Sequence, residues 1–135
     1  MLVSAVKITV NTAVDGEVYE LVTFGQYYQK GASKYLQYEE SIPEGTIRTT
    51  VKLNNEEVLI LRKGAVDMRL HLVLNKKTPG TYHTPLGLLM TEADTKQIEI
   101  AEGRVKVRYD LTIQGSHAGT YEMNINYRTD QEVQE

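Results

Sequence analysis

The stretch Val66-Asp67-Met68-Arg69-Leu70-His71-Leu72-Val73-Leu74-Asn75 decides the fold. Its apolar set, Val66, Met68, Leu70, Leu72 and Leu74, occupies every second position, with Asp67, Arg69, His71, Val73 and Asn75 between. A period of two gathers the first set on one face of a strand, whereas a helix would scatter it around the axis. The pattern repeats in Val105, Val107, Tyr109, Leu111, Ile113 against Arg104, Lys106, Arg108, Asp110, Thr112. Shorter rows follow the same rule: Val6, Ile8, Val10; Ile47, Thr49, Val51, Leu53; and Tyr121, Met123, Ile125, Tyr127. Residues 88–94 suit a helix or a strand equally.

Turn signals separate these rows: Asp15-Gly16, Lys30-Gly31, Pro43-Glu44-Gly45, Asn54-Asn55, Lys63-Gly64, Pro79-Gly80, Pro85 to Gly87, Glu102-Gly103 and Gly115-Ser116. Short strands with one apolar face and hairpin-length connections predict an all-β protein of antiparallel hairpins around one core. An up-and-down β-barrel of about eight to ten strands is the simplest arrangement, because closure removes the edges. A two-sheet sandwich is the structural competitor.

A chain of 135 residues is one domain, expected over 1–128 with a polar tail at 129–135. Its 41% hydrophobic and 24% charged residues are those of a folded protein that buries a real core. A net charge of −3 argues against a nucleic-acid binder that works by phosphate neutralisation. The chain contains no cysteine, hence no disulfide, thiol nucleophile or thiolate metal site, which fits a bacterial or cytosolic setting. The first residues lack the charged-then-apolar plan of a signal peptide. The longest apolar run, Val58-Leu59-Ile60-Leu61, falls far short of the roughly 18 residues of a membrane span. A cytoplasmic protein without membrane or nucleic-acid partners is expected.

Three charges interrupt apolar rows. Glu20 lies in Val18, Glu20, Val22, Phe24, Gln26, Tyr28; Glu40 in Leu36, Tyr38, Glu40, Ile42; and Arg62 in Val58, Ile60, Arg62. If the rows face inward, each charge loses water and needs a partner, which one Arg between two carboxylates provides. Such a centre could orient a ligand in an apolar cavity, or serve only as a structural ion pair, or the charges could lie near strand ends and reach solvent, Arg62 and Glu40 being close to turns. The nine tyrosines stand beside one Phe and no Trp; Tyr28, Tyr38 and Tyr109 fall in apolar rows and are candidates to line a pocket. His71, His83 and His117 make no metal-ligand spacing, so neither metal nor cofactor is expected. The Glu39-Glu40 and Glu56-Glu57 neighbours point to opposite strand faces and cannot work as an acid and base pair. Arg104, Lys106 and Arg108, with Arg128, read as a solvated outer stripe.

Tyr27-Tyr28-x-Lys30, Tyr35-Leu36-x-Tyr38-Glu39-Glu40, Arg62-x-Gly64 and Tyr82-x-Thr84-Pro85-x-Gly87, in that order, resemble the YwiB-like family of small Gram-positive bacterial proteins. The resemblance runs from about Phe24 to Tyr127. It implies a lipocalin-like, or calycin, barrel of unknown function and brings no catalytic residues. With no Trp and no Arg-x-Tyr near the C-terminus, the ligands of secreted lipocalins and fatty-acid-binding proteins do not carry over. The leading reading is a non-catalytic barrel binding an apolar or amphipathic small ligand, with Arg62 orienting its polar end. The second is a structural or protein-interaction domain with a filled core, acting through its surface or as a homodimer. The third, an enzyme using Glu20, Glu40 and Arg62, lacks a nucleophile, metal set or phosphate loop.

Overall fold

A computed structural model describes residues 2–129. It contains ten strands: β1 (Val3–Val14), β2 (Glu17–Lys30), β3 (Ser33–Ile42), β4 (Gly45–Asn54), β5 (Glu57–Gly64), β6 (Asp67–Val73), β7 (Lys77–Thr84), β8 (Gly87–Ala101), β9 (Arg104–Ile113) and β10 (Ser116–Thr129). Each pairs antiparallel with its chain neighbours, and β1 pairs with β10, so the meander closes into a barrel. The described residues include no helix. Closure excludes the sandwich. The stretch 88–94 is strand, with Thr91 and Ala93 buried inside and Leu88 and Met90 exposed outside. Thr129 pairs with Val6 inside β10, one residue beyond the expected domain end, and the remainder of the expected tail lies outside the described residues.

The rows of β1, β3, β4, β5, β6, β9 and β10 face the interior as their alternation predicts; Val6, Ile8, Leu36, Val51, Val58, Leu72, Val107 and Ile125 are fully buried. The β2 row is a correction. Val18, Glu20, Val22, Phe24, Gln26 and Tyr28 point outward, and Val18, Val22 and Phe24 are 69%, 50% and 65% exposed. The hairpin imposes this. Asp15 and Gly16 both take positive φ, 47° and 88°, as a two-residue type I′ turn requires, and the turn pairs Val14 with Glu17. Counting back, Val10, Ile8 and Val6 face Leu21, Thr23 and Gly25. With Ile8 and its row inside, only the odd-numbered residues of β2 can be inside. The next hairpin agrees, setting Tyr27 against Leu36 and Gly25 against Tyr38. Gly25 is required there, since a Cβ would collide with the Gln37 carbonyl and crowd Ile8.

The two ends of the barrel differ. Towards the turns at 31–32, 55–56 and 102–103 the interior is packed by Leu36, Leu53, Val58, Leu72 and Val105, all at most 2% exposed, with a recess of about 440 Å³ at the 102–103 turn between Val6, Tyr27, Gly103 and Tyr127. At the opposite end, below the turns at 15–16, 43–44 and 65–66, the interior opens. Here β2 and β3 also part: their ladder ends at Gly25 and Tyr38, so residues 17–24 pair only with β1.

Candidate functional site

The open end holds a cavity of about 430 Å³. Cross-strand register builds its polar wall. Tyr38 faces Thr49, Thr49 faces Arg62 and Arg62 faces Met68, so four inward side chains stand abreast on β3, β4, β5 and β6. Glu40, two positions along β3 from Tyr38, accepts a hydrogen bond from Arg62 Nη2 at 2.7 Å. The Arg62 and Glu40 side chains remain 30% and 24% exposed, so the pair faces cavity water rather than a dry core. The charges are therefore paired and also reach water, as their place near turns allows. A guanidinium has five N–H donors, and Glu40 is its hydrogen-bond partner among the described residues, which leaves donors turned to the cavity. Val10, Leu21, Ile60, Leu70 and Met123 supply the apolar wall.

Tyr38 and Tyr109 lie against the same cavity and are almost wholly buried. Burial pushes the Tyr38 hydroxyl up to about 12; the Arg62 charge pulls it back, Glu40 pushes it further, and a hydrogen bond with Thr49 opposes the rise. Burial likewise raises Tyr109, aided by neighbouring Tyr121 and opposed by Arg62. Both hydroxyls therefore stay protonated at neutral pH and can donate to a ligand. Tyr109, on the cavity wall, stacks on Tyr121 at 5.3 Å with the planes 3° apart.

Of the other two candidates, Glu20 lines the mouth of the same cavity and Tyr28 does not. Glu20 is exposed on the rim, where β2 has left β3, and makes no ion pair among the described residues. Tyr28 is outside the barrel, stacked on Tyr35 at 4.8 Å, with Lys52 Nζ 6.0 Å from the Tyr35 ring centre. It lines no part of the cavity, because the β2 hairpin register turns its row outward. The rim also carries Tyr19, whose hydroxyl donates to Glu17 and is raised in pKa by that bond. Thr49, Met68 and Met123 contribute to the site without having been singled out; each lay in an alternating row, and the hairpin registers would have placed Thr49 between Tyr38 and Arg62.

Among the described residues no group of three or more His, Cys, Asp or Glu is placed to hold a metal ion. His71 meets Glu57 at 3.3 Å on the outer surface. Lys106 of the basic stripe meets Glu122 at 3.5 Å, so that stripe is partly neutralised in place. Among the described residues no helix is long and apolar enough to cross a membrane.

Ten antiparallel strands closed around a packed core, with a cavity below the turns at 15–16, 43–44 and 65–66, define a small up-and-down β-barrel protein. The chain belongs to the family described as domain of unknown function (DUF1934), whose model matches residues 4–125. It is 32% identical over 126 residues to the uncharacterized beta-barrel protein YwiB of Bacillus subtilis (strain 168), covering 90% of this chain and 89% of that one. The crystal structure of the ywiB protein from Bacillus subtilis superposes with a TM-score of 0.79 at 30% identity, over 94% of this chain and 92% of that chain.

Proposed function

We propose that the barrel is a non-catalytic binding protein for a small amphipathic ligand held in the open-end cavity. The carrying observation is the about 430 Å³ space in which the Arg62–Glu40 pair, the Glu20 carboxylate and the hydroxyls of Thr12, Tyr19, Tyr38, Thr49 and Tyr109 stand among Val10, Leu21, Ile60, Leu70, Met68 and Met123. Small-molecule sites of roughly 300–1,000 Å³ combine apolar lining with a few placed polar groups, and this cavity has that composition. The apolar body of the ligand lies along Ile60, Leu70 and Met123, and its polar or anionic end takes the donors of Arg62 and the Tyr38 hydroxyl. Glu40 holds Arg62 in position and offsets its charge, so the site receives a single acidic or hydrogen-bonding group rather than a polyanion. A cytoplasmic setting suits this role, and a chain without cysteine needs no oxidising compartment.

The test is native mass spectrometry of freshly purified protein, followed by titration with a fluorescent long-chain carboxylate and its methyl ester. The carboxylate is expected to bind more tightly than the ester. Met68→Trp, which fills the cavity, should weaken both by about tenfold or more, equivalent to about 1.4 kcal/mol. Arg62→Met should erase the preference for the acid while leaving ester binding in place. Absence of a co-purifying molecule together with no binding of either probe would refute the reading.

A further inference from the structure

We infer that the ligand enters and leaves the cavity sideways, through the parting between β2 and β3, rather than along the barrel axis between the turns. This route presupposes the cavity ligand proposed above and adds the path it takes. Beyond Gly25 and Tyr38 each strand is ladder-paired on one side only, residues 17–24 of β2 with β1 and Glu39 to Ile42 of β3 with β4. Both lips of the parting line the cavity, Tyr19, Glu20 and Leu21 from β2 and Tyr38 and Glu40 from β3. Glu20 is decisive among them. Register turns its side chain to the outer face of β2, where it is exposed beside Val18 and Val22. An outward side chain can line an interior space only where that space passes round the edge of the strand. The cavity therefore reaches the outside at the parting.

The turns of the same end contribute nothing to the cavity wall. No residue of the turns at 15–16, 43–44, 65–66, 85–86 or 114–115 lines it, and on the β9–β10 side Ile113 and Tyr121 take the inward positions by packing against the core. At its inner limit the parting is tied by a side chain: the Thr23 hydroxyl donates to the Glu39 carbonyl of β3 at 3.3 Å, longer than the roughly 2.5–3.0 Å usual between oxygens. Below that tie, residues 17–22 are a strap hung from β1 and the two-residue turn at 15–16. A strand bonded on one side opens locally at lower cost than one bonded on both, so the parting widens here before the ladders elsewhere break.

The chain has no cysteine, so a pair introduced across the parting can be joined selectively. The β2–β3 register, continued past Gly25 and Tyr38, sets Val22 opposite Ser41, and both are exposed. Val22→Cys with Ser41→Cys, joined by a short bismaleimide, locks the strap; the same protein capped with a monofunctional maleimide is the control. Stopped-flow mixing with the fluorescent long-chain carboxylate reads the rates. Locking a path without touching the site slows association and dissociation by the same factor, so both are expected to fall by about tenfold or more at an unchanged Kd. Thr23→Val, which removes the tie, should raise both rates by about threefold. Unchanged rates in the locked protein and in Thr23→Val would overturn the lateral route and leave the cavity reading standing. A loss of affinity in the locked protein from faster dissociation alone would overturn it too, because the lock would then act on the site and not on the path. Failure of the carboxylate to bind the unsubstituted protein would instead remove the cavity reading, and this route with it.

Discussion

The closed and open ends of the barrel are built on the same strands, with the same alternation, and differ in the side chains on their inward positions. At the closed end those positions hold Leu36, Leu53, Val58, Leu72 and Val105, branched shapes that interlock without space for water. At the open end they hold Thr12, Glu40, Thr49, Arg62, Met68 and Met123, which are polar, small or pliable. Polar tips keep water and so resist collapse of the wall, while methionine adapts to what occupies the space. One backbone thus carries stability at one end and capacity at the other.

The sharpest way to break that division is to truncate one side chain at each end. Leu72→Ala, at 0% exposure in the solid end, should cost about 2–5 kcal/mol, because the packed surroundings cannot close the hole. Met123→Ala, on the cavity wall, should cost about 1 kcal/mol or less, since it enlarges a space already present. Denaturant midpoints of both proteins decide it; equal losses would mean that the two ends are packed alike.

Alkali provides the next largest effect, and it acts at the open end. The folded Tyr38 titrates at about 12 against 10.0 when unfolded. Below pH 10 both states keep the proton and pH is immaterial; between 10 and 12 the unfolded chain loses it first, so stability falls as pH rises. The loss is at most roughly 2–3 kcal/mol for this residue, and Tyr109 adds in the same direction. Unfolding followed from about pH 9 to about pH 11 should show the decline, and Tyr38→Phe should flatten it.

How much of this was legible in the sequence divides along the same line. The closed end followed from alternation, since Leu36, Leu53, Val58, Leu72 and Val105 all lie on the apolar side of alternating rows. Glu40 and Arg62 were legible as breaks in such rows, and the structure joins them at 2.7 Å. β2 was misjudged because apolar content favours its even row, with Val18, Val22 and Phe24, over an odd row that includes Thr23 and Gly25. The signal that overrules composition was present in Asp15-Gly16, whose two-residue turn carries the inward parity of β1 into β2. Where β2 and β3 part, and hence where the cavity rim lies, depends on how ten strands close into a ring, and no local pattern encodes that.

The ion pair comes next in size. Arg62→Met leaves Glu40 without its guanidinium, but both groups reach cavity water, so the expected cost is about 1–2 kcal/mol. That lies between the roughly 0–1 of an exposed pair and the roughly 3–5 of a stranded buried charge. Arg62→Met with Glu40→Leu should recover most of it. A double replacement as costly as the single would show that packing around Arg62, rather than charge, had been lost.

Glu20 completes the comparison as the smallest effect. It shares the rim with the cavity but faces outward on β2 and is exposed. Water therefore solvates its carboxylate in folded and unfolded chains alike, and Glu20→Gln should move the denaturant midpoint by no more than about 0.5 kcal/mol. Probe affinity in the cavity should be unchanged, since the donors of Arg62 are already directed by Glu40. A clear loss of probe binding in Glu20→Gln would extend the polar centre across the seam to β2 and make the rim part of the site.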